Sequence, residues 1–80
     1  MRSGRKSNLP NISGALGAEI RKRRVQLGMS QDELAFLAET HRTYVGAIER
    51  GEKAITVEKL AALARALNCL PSSILTECDL

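Results

Sequence analysis

The sequence is poor in aromatic residues and has no long apolar run, and each shortage excludes a class of protein. Its 80 residues include one Phe, one Tyr and no Trp. A core must therefore be built from Leu, Ile, Val and Ala, which favours helices over a sandwich of strands. No stretch approaches the roughly 20 apolar residues of a membrane span, and the N-terminus lacks the apolar segment of a signal peptide. We expect one all-α domain, located in the cytoplasm and without a membrane partner.

Cysteine and histidine are too few for a metal site. Cys69 and Cys78 lie outside any CxxC spacing, and the only histidine is His41, so the usual zinc ligands are missing. Cys69 is expected to be a small buried hydrophobe, and Cys78, near the terminus, the more exposed of the two. No acid, base and nucleophile occur as a set, so the sequence predicts neither an enzyme nor a cofactor.

The positive charge is concentrated at one end and in local clusters. Twelve Lys and Arg residues face nine Asp and Glu residues, giving a net charge of +3. Arg2, Arg5 and Lys6 supply that excess, so the remaining chain is neutral. Basic groups within it cluster at 21–24, at Arg42, and at 50 and 53. Local basic patches on a neutral body are compatible with a duplex-binding face.

Residues 1–12 are predicted to form a flexible basic arm, and residues 13–80 the folded domain. The arm is rich in Ser, Gly, Asn and basic residues and cannot bury enough apolar surface to order itself. Two roles remain open for it: a minor-groove or phosphate contact by its basic side chains, or a solvated tail.

Five segments show helical periodicity with start or stop signals. The predicted bounds are 13–27, 31–38, 41 or 42 to 50, a fourth helix after the N-cap Thr56 that Asn68 closes, and a short fifth helix from Pro71. Gly28 and Gly51 are predicted to end the first and third helices in the left-handed conformation. The inward-facing residues are predicted to include Leu16, Ile20, Leu27, Leu34, Ala35, Ala38, Val45, Ile48, Leu60, Leu63, Ala64 and Leu67.

The second and third helices are separated by only a short polar run. Ser30 and Glu33 have the spacing of a capping box, and Met29 and Leu34 bracket it as a hydrophobic staple. Because the apolar stripe restarts at Val45 so soon afterwards, the two helices must cross at an angle. This arrangement can place the second helix of the pair in a DNA groove.

These residues resemble the lambda-repressor-like, or Xre, helix-turn-helix family of five-helix phage and bacterial regulators. The run IRKRRVQLGMSQDELA resembles that family's first two helices. HRTYVGAIERGEKAIT resembles its recognition helix and following loop, notably as found in controller proteins of restriction-modification systems. The resemblance implies a sequence-specific, double-stranded-DNA-binding transcriptional regulator that acts as a homodimer on a palindromic operator, with half-sites about 34 Å apart. Glu39 departs from the family, because it replaces the glycine common in the turn.

The expected base-reading residues lie at the start of the third helix and one turn later: Arg42, Thr43, Tyr44 and Ala47. Arg42 is the strongest candidate, because its planar fork can donate to O6 and N7 of guanine, worth roughly 1 to 3 kcal/mol of discrimination. The expected phosphate contacts are Ser30, Gln31, Tyr44, Arg50 and Lys53. His41 has three open roles: a cap of the third helix, a phosphate contact, or a solvent-facing side chain.

The resemblance also implies an ion pair between Arg24 and Glu49 that joins the first and third helices. It places the dimer contact at the fifth helix, on Leu70, Ile74 and Leu75, with the alternative that these residues complete the core of the monomer. Phe36 is expected on the outer side of the second helix, where two roles remain open: it covers the edge of the core, or it marks a surface for a second dimer or another protein. The second role favours another hypothesis, an antitoxin or bridging module whose unidentified partner is another protein.

Overall fold

The computed structural model describes residues 11–80, which form five helices without a strand in that range. The helices are α1 (Ile12–Gln26), α2 (Gln31–Leu37), α3 (Arg42–Glu49), α4 (Val57–Ala66) and α5 (Pro71–Glu77). The all-α prediction is confirmed. Within residues 11–80, no helix is both long and apolar enough to cross a bilayer.

Side-chain caps determine where three of the helices begin. Asn11 accepts a hydrogen bond from the backbone N–H of Gly14 at 2.9 Å, so α1 begins at Ile12, inside the predicted arm. The rest of that arm, residues 1–10, lies outside the described residues. Ser30 and Glu33 form the predicted capping box, with N···O distances of 3.0 and 2.7 Å. Thr56 caps α4, as predicted, by accepting from the N–H of Lys59 at 3.1 Å.

The helix ends adopt the left-handed conformation that lets a chain leave a helix and turn. Gly28 and Gly51 have φ values of +69° and +74°, which glycine adopts without a steric penalty. Glu39, with φ of +57°, adopts the same region in the turn between α2 and α3. The turn therefore forms with a non-glycine residue in this region, with a backbone strain that glycine would avoid.

The core is formed by one apolar face from each helix. Its fully buried large side chains are Ile20 of α1, Leu34 of α2, Val45 and Ile48 of α3, Leu63 of α4 and Ile74 of α5. The prediction of a buried side chain is wrong for one residue of the inward-facing set, Leu27, which is 52% exposed. The cause is that α1 ends at Gln26, so Leu27 is a cap residue that no longer follows the buried stripe. Cys69 and Cys78 both pack partly buried against the core.

Gly17 sets the distance between α1 and α3. A Cβ atom built on this residue would overlap the carbonyl oxygen of Ile48 and lie 3.0 Å from that of Glu49. Only a hydrogen atom fits between the two helices here. The lack of a side chain at Gly17 therefore allows the backbone of α3 to pack directly against α1.

Candidate nucleic-acid interface

Helix α3 is buried along one side and free at its N-terminal turn. Val45 and Ile48 are fully buried, whereas Arg42 and Thr43 are exposed. Arg42 has 65% of its side chain accessible, and its Nε lies 3.7 Å from Oδ1 of Asp32 at the start of α2. This separation is an ion-pair distance, outside hydrogen-bonding range. The first turn of α3 therefore presents a guanidinium and a hydroxyl to the surroundings of the molecule.

A buried ion pair holds the other end of α3. Arg24 donates from Nε and Nη2 to the two carboxylate oxygens of Glu49, at 2.6 and 3.0 Å, and from Nη1 to the carbonyl of Met29 at 2.8 Å. Only 2% of the Glu49 side chain is accessible. The hydrogen bond to Glu49 raises the pKa of the Arg24 guanidinium. A bidentate pair in this setting orients both groups, so it fixes the angle between α1 and α3.

Gln31, predicted to contact phosphate, is part of the same network. Its Nε2 donates to Oε1 of Glu49 at 3.0 Å, which connects the first residue of α2 to the end of α3. Ser30, the other predicted contact on this helix, has both its hydroxyl and its backbone N–H engaged in the capping box. The two residues therefore have defined partners inside the protein.

Tyr44 lies between the surface and the core. Its ring packs partly buried against the core cluster, and burial raises the pKa of its phenol. The ammonium of Lys59 on α4 lies 5.4 Å from the ring centroid, within cation–π range. The ring is thus held from one side, and Tyr44 joins α3 to α4.

Arg50 and Lys53 lie just beyond the C-terminal end of α3, and both are exposed. Arg50 donates from Nε to Oε2 of Glu52 at 3.0 Å. This hydrogen bond raises the pKa of Arg50 and lowers the pKa of Glu52. The two cations bring positive charge to the segment that follows α3.

Two predicted site residues have little free surface. Ile74 has no exposed surface and belongs to the core of the chain itself, so its assignment to the dimer contact is wrong for this fold. Leu75 is half-buried on the same core, whereas Leu70 is 66% exposed. Ala47 retains only 8% of its surface. His41 is the N-cap residue of α3, but its side chain makes no capping hydrogen bond.

Two further residues were missed by sequence reasoning. Gly17 is a glycine inside α1, where the lack of a side chain lowers helix propensity and so signals a close contact. Glu19 is a buried carboxylate on α1, paired with Arg23 at 2.8 Å and with Lys22 at 3.1 Å. Its spacing to these cations, three and four residues on, was the available signal.

An apolar groove lies beside the first turn of α2. Phe36 is 80% exposed, and with Leu27, Met29 and Leu37 it lines this groove, whose acidic members are Asp32 and Glu33. Phe36 thus lies on the outer side of α2, as expected. Among residues 11–80, no group of His, Cys, Asp and Glu side chains is arranged to hold a metal ion.

Comparison with known proteins agrees with this geometry. A family model described as Helix-turn-helix matches residues 20–74. Control protein C.SmaI of Serratia marcescens is 38% identical over 66 residues, covering 82% of this chain and 79% of that protein. Control protein C.BamHI of Bacillus amyloliquefaciens is 35% identical over 66 residues, covering 81% and 82%.

Solved structures of regulators share the fold. The restriction-modification controller protein C.AhdI from Aeromonas hydrophila superposes with a TM-score of 0.78 at 34% identity, covering 81% of this chain and 98% of that one. The clp gene regulator ClgR from Corynebacterium glutamicum gives 0.84 at 33% identity, covering 88% and 74%. The chain therefore belongs to the lambda-repressor-like helix-turn-helix family of DNA-binding regulators, with α2 and α3 as its helix-turn-helix.

Proposed function

We propose that this protein is a sequence-specific transcriptional regulator that binds double-stranded DNA as a homodimer on a palindromic operator. The observation that carries the proposal is the exposed N-terminal turn of α3, where Arg42 and Thr43 project while the opposite side of the helix is fixed in the core. A helix held in this way can enter the major groove without rearrangement. Similarity to control proteins supports the regulatory role.

Arg42 is the principal base-reading residue of this proposal. Its guanidinium can donate two hydrogen bonds to O6 and N7 of guanine, and its exposed ion pair with Asp32 is too weak to prevent that contact. Thr43 offers a hydroxyl to a base edge and a methyl to thymine. Tyr44 and the small exposed part of Ala47 complete the reading surface.

Phosphate contacts orient this surface on the duplex. Lys53 and Arg50 are exposed cations beyond α3, and the Tyr44 hydroxyl is a further donor. Ser30 and Gln31 lie at the start of α2, where backbone N–H groups favour an anion. Because Gln31 also bonds Glu49, a phosphate held there would be linked to the position of α3.

The homodimer would use the apolar surface around α5. Leu70 is exposed at the N-cap of this helix, and Leu75 is half-buried one turn along it. A second copy related by two-fold symmetry would bring the same surface against itself. Two copies of α3 would then face half-sites about 34 Å apart, one turn of B-DNA.

Two substitutions test the assignment of base and phosphate contacts. Arg42→Ala should weaken binding to the cognate operator far more than binding to random duplex, because it removes a base contact. Lys53→Ala should weaken both alike and lower the slope of log affinity against log salt by about one unit. Both are measured by fluorescence anisotropy over a salt series, with Arg65→Ala on α4 as an exposed-arginine control. Identical behaviour of the Arg42 and Lys53 variants would contradict the assignment.

The exposed Phe36 favours a second candidate function, a protein-interaction module such as an antitoxin or a bridging factor. An apolar side chain with 80% of its surface in contact with water is what such a module needs. A gel shift with promoter DNA from the protein's own gene neighbourhood, with and without excess random duplex, separates the two functions. Loss of the shifted band to random competitor would favour the interaction module.

A further inference from the structure

We propose that Glu52 is a positioning residue that holds the guanidinium of Arg50 across the bare backbone of Gly46, so that Arg50 reads a base edge. This inference rests on the proposed function and reassigns Arg50 from phosphate contact to sequence reader. It also gives Gly46, at the middle of the recognition helix, a role in specificity.

The side chain of Arg50 folds back along α3 instead of extending away from it. Its Nη1 lies 3.1 Å, and its Cζ 3.9 Å, from the position that a Cβ of Gly46 would occupy. Oε1 of Gln31 lies 3.8 Å from the same point. The guanidinium therefore covers the helix backbone one turn before its own Cα, and only glycine at position 46 leaves this space open.

Glu52 holds Arg50 in this conformation through Nε, without bonding the two terminal nitrogens of the guanidinium. Its Oε2 accepts from Nε of Arg50 at 3.0 Å, which is the one hydrogen bond of that guanidinium within residues 11–80. The donors on Nη1 and Nη2 thus remain available. These two nitrogens are the pair that an arginine can present end-on to O6 and N7 of guanine.

The guanidinium of Arg50 lies on the same side of α3 as Arg42. Positions 42, 46 and 50 are spaced by four residues and so line one side of α3. Because Arg50 folds back to Gly46, its tip lies level with a point about 6 Å along the axis from the Cα of Arg42, at 1.5 Å of rise per residue. That distance is about two base-pair steps of 3.4 Å, so both arginines would contact bases of one half-site.

The carboxylate itself argues against a role for Arg50 in phosphate contact alone. A negative charge beside the fork repels phosphate oxygens, whereas the uncharged acceptors of a base edge are repelled much less. An exposed ion pair of this kind contributes little to the stability of the fold, so stability does not account for its presence. The arrangement therefore favours a base edge over the DNA backbone.

Selection of bound sequences from a random duplex library, followed by affinity measurement on single-base variants, tests the proposal. The wild-type protein should select guanine at two positions about two steps apart in each half-site. Arg50→Lys and Glu52→Gln should keep the first preference and reduce the second on the order of tenfold. Gly46→Ala should relax the same position, since its methyl displaces the fork, without lowering the melting temperature.

Two controls separate this effect from changes in overall charge. Glu58→Gln removes an exposed carboxylate from the first turn of α4 and should leave the preference at both positions unchanged. Lys53→Gln should weaken all duplexes by one common factor. If Glu52→Gln instead tightens every duplex equally and leaves the selected sequence intact, Arg50 contacts only phosphate and the inference is overturned. If the wild-type protein selects no sequence, the proposed function itself fails.

Discussion

Replacing Gly17 with alanine should destabilise the protein, although helix propensity alone predicts the opposite. Gly17 lies inside α1, where alanine is preferred over glycine by about 1 kcal/mol. Against this gain stands a methyl group that would overlap the carbonyl oxygen of Ile48 and lie 3.0 Å from that of Glu49. Both obstacles are backbone atoms, which cannot rotate away as a side chain does.

The magnitude follows from the separation that the methyl group requires. Ordinary carbon contacts are about 3.5 to 4.0 Å, so α1 and α3 must move apart by on the order of 1 Å. Overpacking of this kind costs about 1 to 3 kcal/mol, and a rigid obstacle places Gly17→Ala at the upper end. After the gain in propensity, we expect a net loss of about 1 to 2 kcal/mol. For a domain of this size the melting temperature should fall by roughly 4 to 16 °C.

The assay is urea and thermal unfolding followed by circular dichroism, with Gly46→Ala as the matched control. Gly46 is also a glycine inside a helix, but a Cβ there would meet the flexible tip of Arg50, so its stability should stay level or rise. The reasoning is refuted if Gly17→Ala is as stable as the wild-type protein. A displaced α3 should also weaken operator binding by Gly17→Ala at temperatures where the variant is folded.

The remaining predictions concern the other supports of α3. Glu49→Ala should lower the free energy of unfolding by about 3 to 5 kcal/mol, because it leaves the Arg24 guanidinium partly buried without its carboxylate. The double variant Arg24→Met, Glu49→Leu should lose much less in urea unfolding, and equal losses would show that the buried charge is not the cause. Burial raises the pKa of Tyr44 above its ordinary value of 10.0, so its contribution to stability is complete below that pH and is lost as pH rises through the folded-state pKa. The melting temperature of Tyr44→Phe should therefore fall less above pH 10 than that of the wild-type protein. An equal fall in both proteins would exclude Tyr44 as the cause of the loss of stability.

Much of the fold was predictable because its signals are local. The capping box of Ser30 and Glu33, the cap at Thr56 and the left-handed Gly28 and Gly51 each depend on residues within a few positions. The inward-facing stripes follow from helical periodicity alone. The family and the helix-turn-helix could therefore be identified from the sequence, and the exposure of Arg42 and Thr43 agrees with their place on α3.

The sequence by itself determined the five helices, their order and most of the core, since caps, glycine stops and apolar spacing act within a single helix. Only the tertiary structure decided which surfaces meet. It buried Ile74 in the monomer, exposed Leu27 at a helix end, and packed the backbone of α3 against Gly17. It also placed Arg50 over Gly46. These outcomes depend on distances between helices, and such distances result from the packing of all five helices together.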